Sequence, residues 1–155
     1  MLASFAQWCQ NLALAEAIRN RPWPFPTIEI FHLAGLVLVF GSIFVLNLRM
    51  FGFILKDTPA VRVAHSLAPW TLVGLGVQVL TGPLLFISAA MRFYGNGTFR
   101  MKLALIASAL IYHFLVHRRA VSARTVAARV SAAVSTLLWM SVFLAGMDIE
   151  LQLLA

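Results

Sequence analysis

Four long apolar stretches separated by short connectors constrain this chain more than any other feature. They run from about Thr27 to Ile54, Ala68 to Met91, Phe99 to His117 and Ala127 to Met147. A helix rising about 1.5 Å per residue needs ~20 apolar residues to cross a ~30 Å hydrocarbon layer, and each stretch is close to that length. The connectors Lys56 to Ala60, Tyr94 to Thr98 and Arg118 to Arg124 are short, so successive spans must run antiparallel, with Asn96-Gly97 a turn signal. The expected fold is therefore all-α: an integral-membrane up-down four-helix bundle forming a single membrane domain over residues 1–155. Composition agrees, since 61% of residues are hydrophobic and 11% charged, whereas water-soluble domains carry about 25% charged residues.

The N-terminal segment reads differently. Met1, Leu2, Phe5, Trp8, Cys9, Leu12 and Ala15 recur at helical spacing, with Ser4, Gln7, Gln10 and Asn11 opposite. That pattern predicts an amphipathic helix over residues 1–20 lying at the membrane interface. No Lys or Arg precedes Arg19, so a cleaved secretory signal is not expected. Pro22, Pro24 and Pro26 predict a non-helical, aromatic-rich connector before the first span.

The net charge of +7 is spread over helix ends and forms no stripe that would bind nucleic acid. Arg49, Lys56, Arg62, Arg118, Arg119, Arg124 and Arg129 place seven basic residues on the side of the first and third connectors, against five on the other (Arg19, Arg21, Arg92, Arg100 and Lys102). The bias predicts an inner-membrane protein with both termini on the periplasmic side. The single cysteine, Cys9, excludes an intramolecular disulfide.

Ionisable groups inside spans are costly and are functional candidates by default. All four histidines fall in or beside spans: His32 in the first, His65 at the mouth of the second, and His113 and His117 one turn apart in the third. Imidazoles facing one another across a bundle are the usual axial ligands of b-type haem, so His32, His65, His113 and His117 are candidate cofactor ligands. By depth, His65 pairs with His113 or His117 near the inner interface. His32 enters from the other side, ~9 Å below Pro26, and has no histidine at its own level. The alternatives stay open: His117 and His65 as part of a basic interface belt, and His113 as a core histidine donating to a carbonyl. Glu29 lies one turn before His32 and Gly35 one turn after, where the glycine would clear space on the histidine face.

A second candidate cluster lies on the outer side, where Glu29, His32, Asp148 and Glu150 could meet beside Arg100 and Lys102. Such carboxylates and imidazoles suit a divalent metal or a proton relay; acids solvated at headgroup depth are the alternative. Gly74, Gly76, Gly82, Ala104, Ser108, Ala128, Ser131, Ala132 and Ser135 are small residues of the kind that let membrane helices approach closely, and Gly82-Pro83 predicts a kink. No phosphate-binding glycine loop, HExxH, CxxC or GxSxG motif is present.

Ala17-Ile18-Arg19, Trp23-Pro24-Phe25-Pro26, Glu29, His32-Leu33-Ala34-Gly35, Gly41-Ser42, Leu48-Arg49 and Phe51-Gly52 resemble the opening of a bacterial family of small four-helix membrane proteins of unknown function. The likeness continues through Pro69-Trp70-Thr71, Gly74, Thr81-Gly82, Leu85-Phe86, Phe99-Arg100-Met101-Lys102 and His117, covering roughly residues 15 to 118. Asn47 stands where that family usually has an acid, and His65 and His113 do not match its pattern. More distantly, the chain is similar to CopD-like copper-resistance membrane domains and small b-type cytochromes.

Three functional expectations follow. The first is an electron-transfer protein holding haem b and linking a quinone or periplasmic donor to a partner. The second is an accessory subunit packed against other membrane subunits or a second copy of itself. The third is copper-type metal handling by Glu29, His32 and Asp148. An electron-transfer or accessory protein in a lipid bilayer is expected ahead of a stand-alone enzyme.

Overall fold

The computed structural model describes residues 2–122 and 126–154. Met1 and Arg124 lie outside the described residues, as does the side chain of Glu150. The protein is all-α, as its apolar runs require. Two short helices, α1 (Leu2–Gln10) and α2 (Ala13–Arg19), precede the long helices α3 (Pro24–Phe51) and α4 (Ala60–Ser88). The short α5 (Ala90–Gly95) leads into α6 (Gly97–Tyr112), which continues through one π-helical turn, His113–His117, into α7 (Arg118–Ala120); α8 (Val126–Leu154) follows. Among the described residues four segments are long and apolar enough to cross a membrane: Pro24–Phe51, Ala60–Ser88, Gly97–Ala120 and Val126–Ile149. The protein is thus a multi-pass membrane protein, and exposed residues such as Val37, Leu80, Ile111 and Leu137 give its spans the apolar surface a bilayer requires.

The proline-rich connector is shorter than its sequence suggests. Pro24 and Pro26 lie in the first turn of α3, where backbone N–H groups have no intrahelical acceptor and a missing donor costs nothing.

The chain forms two compact units. The first comprises residues Met1–Val39 and Leu72–Gly97. In it α3 and α4 cross at two glycines. A Cβ on Gly74 would lie 2.7 Å from the Gly35 carbonyl oxygen, and one on Gly35 would lie 2.8 Å from Val77 Cγ1. Gly35 therefore makes room for helix α4 and not for the histidine ring. The N-terminal segment is two helices rather than one, and it packs inward through Ala6 and Cys9, which meet Ala90, Phe86 and Ile87. Polar contacts fix it in place: Gln10 Oε1 accepts from the Met91 N–H at 2.9 Å, and Arg19 donates to the carbonyls of Ser88 and Gln10 at 3.3 Å. Phe5 and Trp8 remain exposed, as aromatic rings in an interfacial belt are.

The second unit comprises Phe40–Thr71 and Thr98–Ala155. Its core joins Leu46 and Met50 of α3, Val63 of α4, Val121, and Ala128 and Ala132 of α8. Helix α3 ends in a paired cap, with Phe53 N–H bonded to the Leu48 carbonyl and Gly52 N–H to that of Arg49, both at 3.0 Å. Gly52 has φ +85°, the left-handed conformation that this cap requires and that glycine adopts without a Cβ clash.

Candidate functional site

The second unit holds a polar cluster inside its apolar span. Tyr112 ends α6, and the π-helical turn that follows carries His113 and His117. A π turn inserts one residue into the helical register, a device common at functional sites. His117 is fully buried. The Tyr112 hydroxyl donates to Ser131 Oγ at 3.1 Å, and Ser131 Oγ lies 3.1 Å from His117 Nδ1. The arrangement that gives both hydroxyl protons an acceptor runs Tyr112 to Ser131 to His117 and leaves the imidazole proton on Nε2. Among the described residues neither His117 Nε2 nor His113 Nδ1 has a partner, although both atoms are buried. The two rings lie beside each other, centroids 5.5 Å apart and planes tilted by 35°.

One turn along α8, Ser135 begins a second set of polar contacts. Asn47 of α3, 1% exposed, donates through Nδ2 to Ser135 Oγ at 3.2 Å and to Thr136 Oγ1 at 3.0 Å. Thr136 passes its own proton to the Ala132 carbonyl. Asn47 Oδ1 is left without a donor among the described residues. Further along α3, Ser42 meets Thr71 of α4 at 2.7 Å. The cluster therefore offers an unpaired donor at His117 and an unpaired acceptor at Asn47 on successive turns. Each unmet buried group costs about 1–3 kcal/mol, a penalty relieved by water or by a small solute that can both donate and accept. Most of these residues carry no distinctive signal in the sequence. Ser131 and Ser135 register there only as small packing residues, Asn47 only as a departure from an acid, and Tyr112 not at all.

The remaining candidates lie elsewhere. His32, in the first unit, has Nδ1 2.7 Å from Thr81 Oγ1, whose own proton goes to the Val77 carbonyl, so the imidazole is the donor. Gln78 anchors the His32 carbonyl at 2.5 Å, and the ring lies over Gly82. His65 is exposed on α4. Asp148 accepts from Thr98 at 3.0 Å, and Lys102 lies along Gly146.

These placements correct the cofactor expectations. Among the described residues no three His, Cys, Asp or Glu side chains gather to hold a metal ion. The proposed metal set of Glu29, His32 and Asp148 forms no such group. Nor is there a basis for haem b on His32, His65, His113 and His117. Axial ligands must approach an iron from opposite sides, whereas His113 and His117 stand side by side on one helical turn, His32 is tied to Thr81, and His65 faces outward. Haem-based electron transfer and copper-type metal handling fall with them.

No curated protein and no solved structure matches the chain. The resemblance to copper-resistance domains and cytochromes is not specifically supported. Residues 26–152 match the family of unknown function DUF6644, and the chain belongs to that family of integral-membrane proteins.

Proposed function

We propose that this membrane protein carries a proton-exchange site in its second unit, formed by Tyr112, Ser131, His117 and His113. The carrying observation is the hydrogen-bonded chain from Tyr112 through Ser131 to His117, ending on a buried imidazole nitrogen with no partner among the described residues. Hydroxyl and imidazole groups can each accept one proton while releasing another, and an imidazole inside a span marks a proton or solute path. A water or hydroxyl-bearing solute between His117 and His113 would extend the chain. The basic bias of the first and third connectors supports an inner-membrane orientation in which this end of the cluster faces the cytoplasm.

The test is proton uptake by proteoliposomes holding a pH-sensitive dye under a potassium diffusion potential. Wild type and His65→Phe should acidify the lumen alike. His117→Phe should slow the change at least about tenfold, the scale of a lost proton-transfer group. Wild-type vesicles no faster than empty ones would refute the reading.

A second reading concerns assembly. Only 6% of the third span is buried, against 33% of the fourth, and Leu103, Ala104, Ser108 and Ile111 stand exposed on it. Small residues among larger apolar ones suit close packing with a helix of another membrane subunit or of a second copy. Cross-linking of a cysteine placed at Ser108, in native membranes, distinguishes this from a lipid-facing surface.

A further inference from the structure

Where the connector after α3 meets the start of α8, the second unit opens into a groove of about 970 Å³. Its floor is apolar: Met50, Val121 and Ala128 belong to the buried core. Its rim is basic, carrying Arg49, Lys56 and Arg129 against one carboxylate, that of Asp57, among the described residues. Arg49 is held in position by the connector itself, with Nε donating to the Thr58 carbonyl at 2.6 Å and Nη2 to that of Lys56 at 3.2 Å. A guanidinium has five N–H donors, so among the described residues three remain. The turn is set by Gly52 and by Leu55, a non-glycine residue at φ +50°, a conformation that side chains of its kind rarely adopt. The connector thus wraps around Arg49 and presents its remaining donors.

We propose that this groove binds an anionic phospholipid. A fixed guanidinium suits a phosphate diester, which accepts two parallel N–H bonds. Lys56 and Arg129 supply further positive charge to the headgroup, each favourable at a membrane surface. Arg49 ends a span, so the groove lies at headgroup depth, and the apolar floor below the charges suits an acyl chain. Free inorganic phosphate would use only the rim, which is why the lipid is the occupant the whole groove fits.

The test uses the full chain in mild detergent, incubated with phosphatidylglycerol or phosphatidylcholine, with retained lipid counted by native mass spectrometry. One phosphatidylglycerol should be retained with about tenfold preference. The double variant Lys56→Gln/Arg129→Gln should lose that preference with an unchanged unfolding midpoint, while Arg119→Gln, outside the groove, keeps it. Equal retention of the two lipids, or an unaffected double variant, would overturn the proposal. Displacement of phosphatidylglycerol by millimolar inorganic phosphate would overturn it in favour of a phosphate site.

Discussion

Gly74 and Gly76 are two residues apart on α4, and alanine at each should have opposite effects. At Gly74 a new Cβ would lie 2.7 Å from the Gly35 carbonyl oxygen, 2.8 Å from Val39 Cγ2 and 2.9 Å from Leu38 Cβ. Carbon atoms rest ~3.5–4.0 Å from one another and ~3.3 Å or more from an oxygen, so α3 and α4 must separate by roughly 0.6 Å or more at their crossing. Two of the three contacts are with backbone or a Cβ, which no rotamer change can move aside. Overpacking of this kind costs about 1–3 kcal/mol. At Gly76 nothing lies within 4 Å of the added atom. There alanine brings only its better helix propensity, about 0.5–1 kcal/mol in favour of folding. The propensity gain is common to both sites, so the difference between Gly74→Ala and Gly76→Ala isolates the packing cost. Gly76→Ala should be the more stable variant by about 1–3 kcal/mol. Unfolding by added dodecyl sulfate in mixed micelles, followed by tryptophan fluorescence and circular dichroism, measures it. Equal midpoints for the two variants would show that the helices do not meet at Gly74 and would remove the basis for the first unit's packing.

Further outcomes follow from single contacts. Arg19→Gln removes the bonds to the Ser88 and Gln10 carbonyls, so amide exchange across α1 and α2 should accelerate by about fivefold, the equivalent of ~1 kcal/mol of lost local stability. Tyr112→Phe deletes one hydroxyl and leaves the ring; it should cost ~1 kcal/mol in micelle unfolding, and its size separates a formed Tyr112–Ser131 bond from an idle one. Gly52→Ala forces a Cβ into a φ of +85° and should destabilise the α3 terminus by about 1–2 kcal/mol, seen as faster exchange of the amides at positions 52 and 53, whereas Gly41→Ala, with open space around it, should not.

The spans were legible because length and hydropathy alone decide whether a helix can cross a bilayer, and neither depends on which way the helix faces. Orientation about the helix axis was not legible. Gly35 illustrates the difference: three residues after His32, it reads as space for the ring until the crossing with Gly74 shows which neighbour needs the room. In a water-soluble helix the polar face would mark the outside, but in these spans apolar residues lie on all sides and carry no such signal. The N-terminal segment shows the converse. Its polar residues did reveal a helical period, yet the break at Asn11 and Leu12 was missed, because an amphipathic pattern continues in phase across a short interruption.

The histidines were found for a sound reason and assigned on an incomplete one. Their cost inside a membrane does single them out, but cost identifies a residue that needs a partner without saying which partner. His32 and His117 satisfy that need with hydroxyls, Thr81 and Ser131, which sequence reading had set aside as packing or not weighed. The π turn makes the second of these possible, since five residues in place of four per hydrogen-bonded turn bring His117 onto the face that meets α8. A spacing rule based on 3.6 residues per turn cannot foresee that shift. It would instead group His113 and His117 as equivalent ligands on one stripe. The structure makes them unequal: His117 is tied to Ser131 through Nδ1, so among the described residues the atom left without a partner is Nε2 on His117 but Nδ1 on His113. Two rings with different nitrogens unmet, side by side on one turn, fit the proposed proton exchange and are unsuited to gripping one metal from two sides.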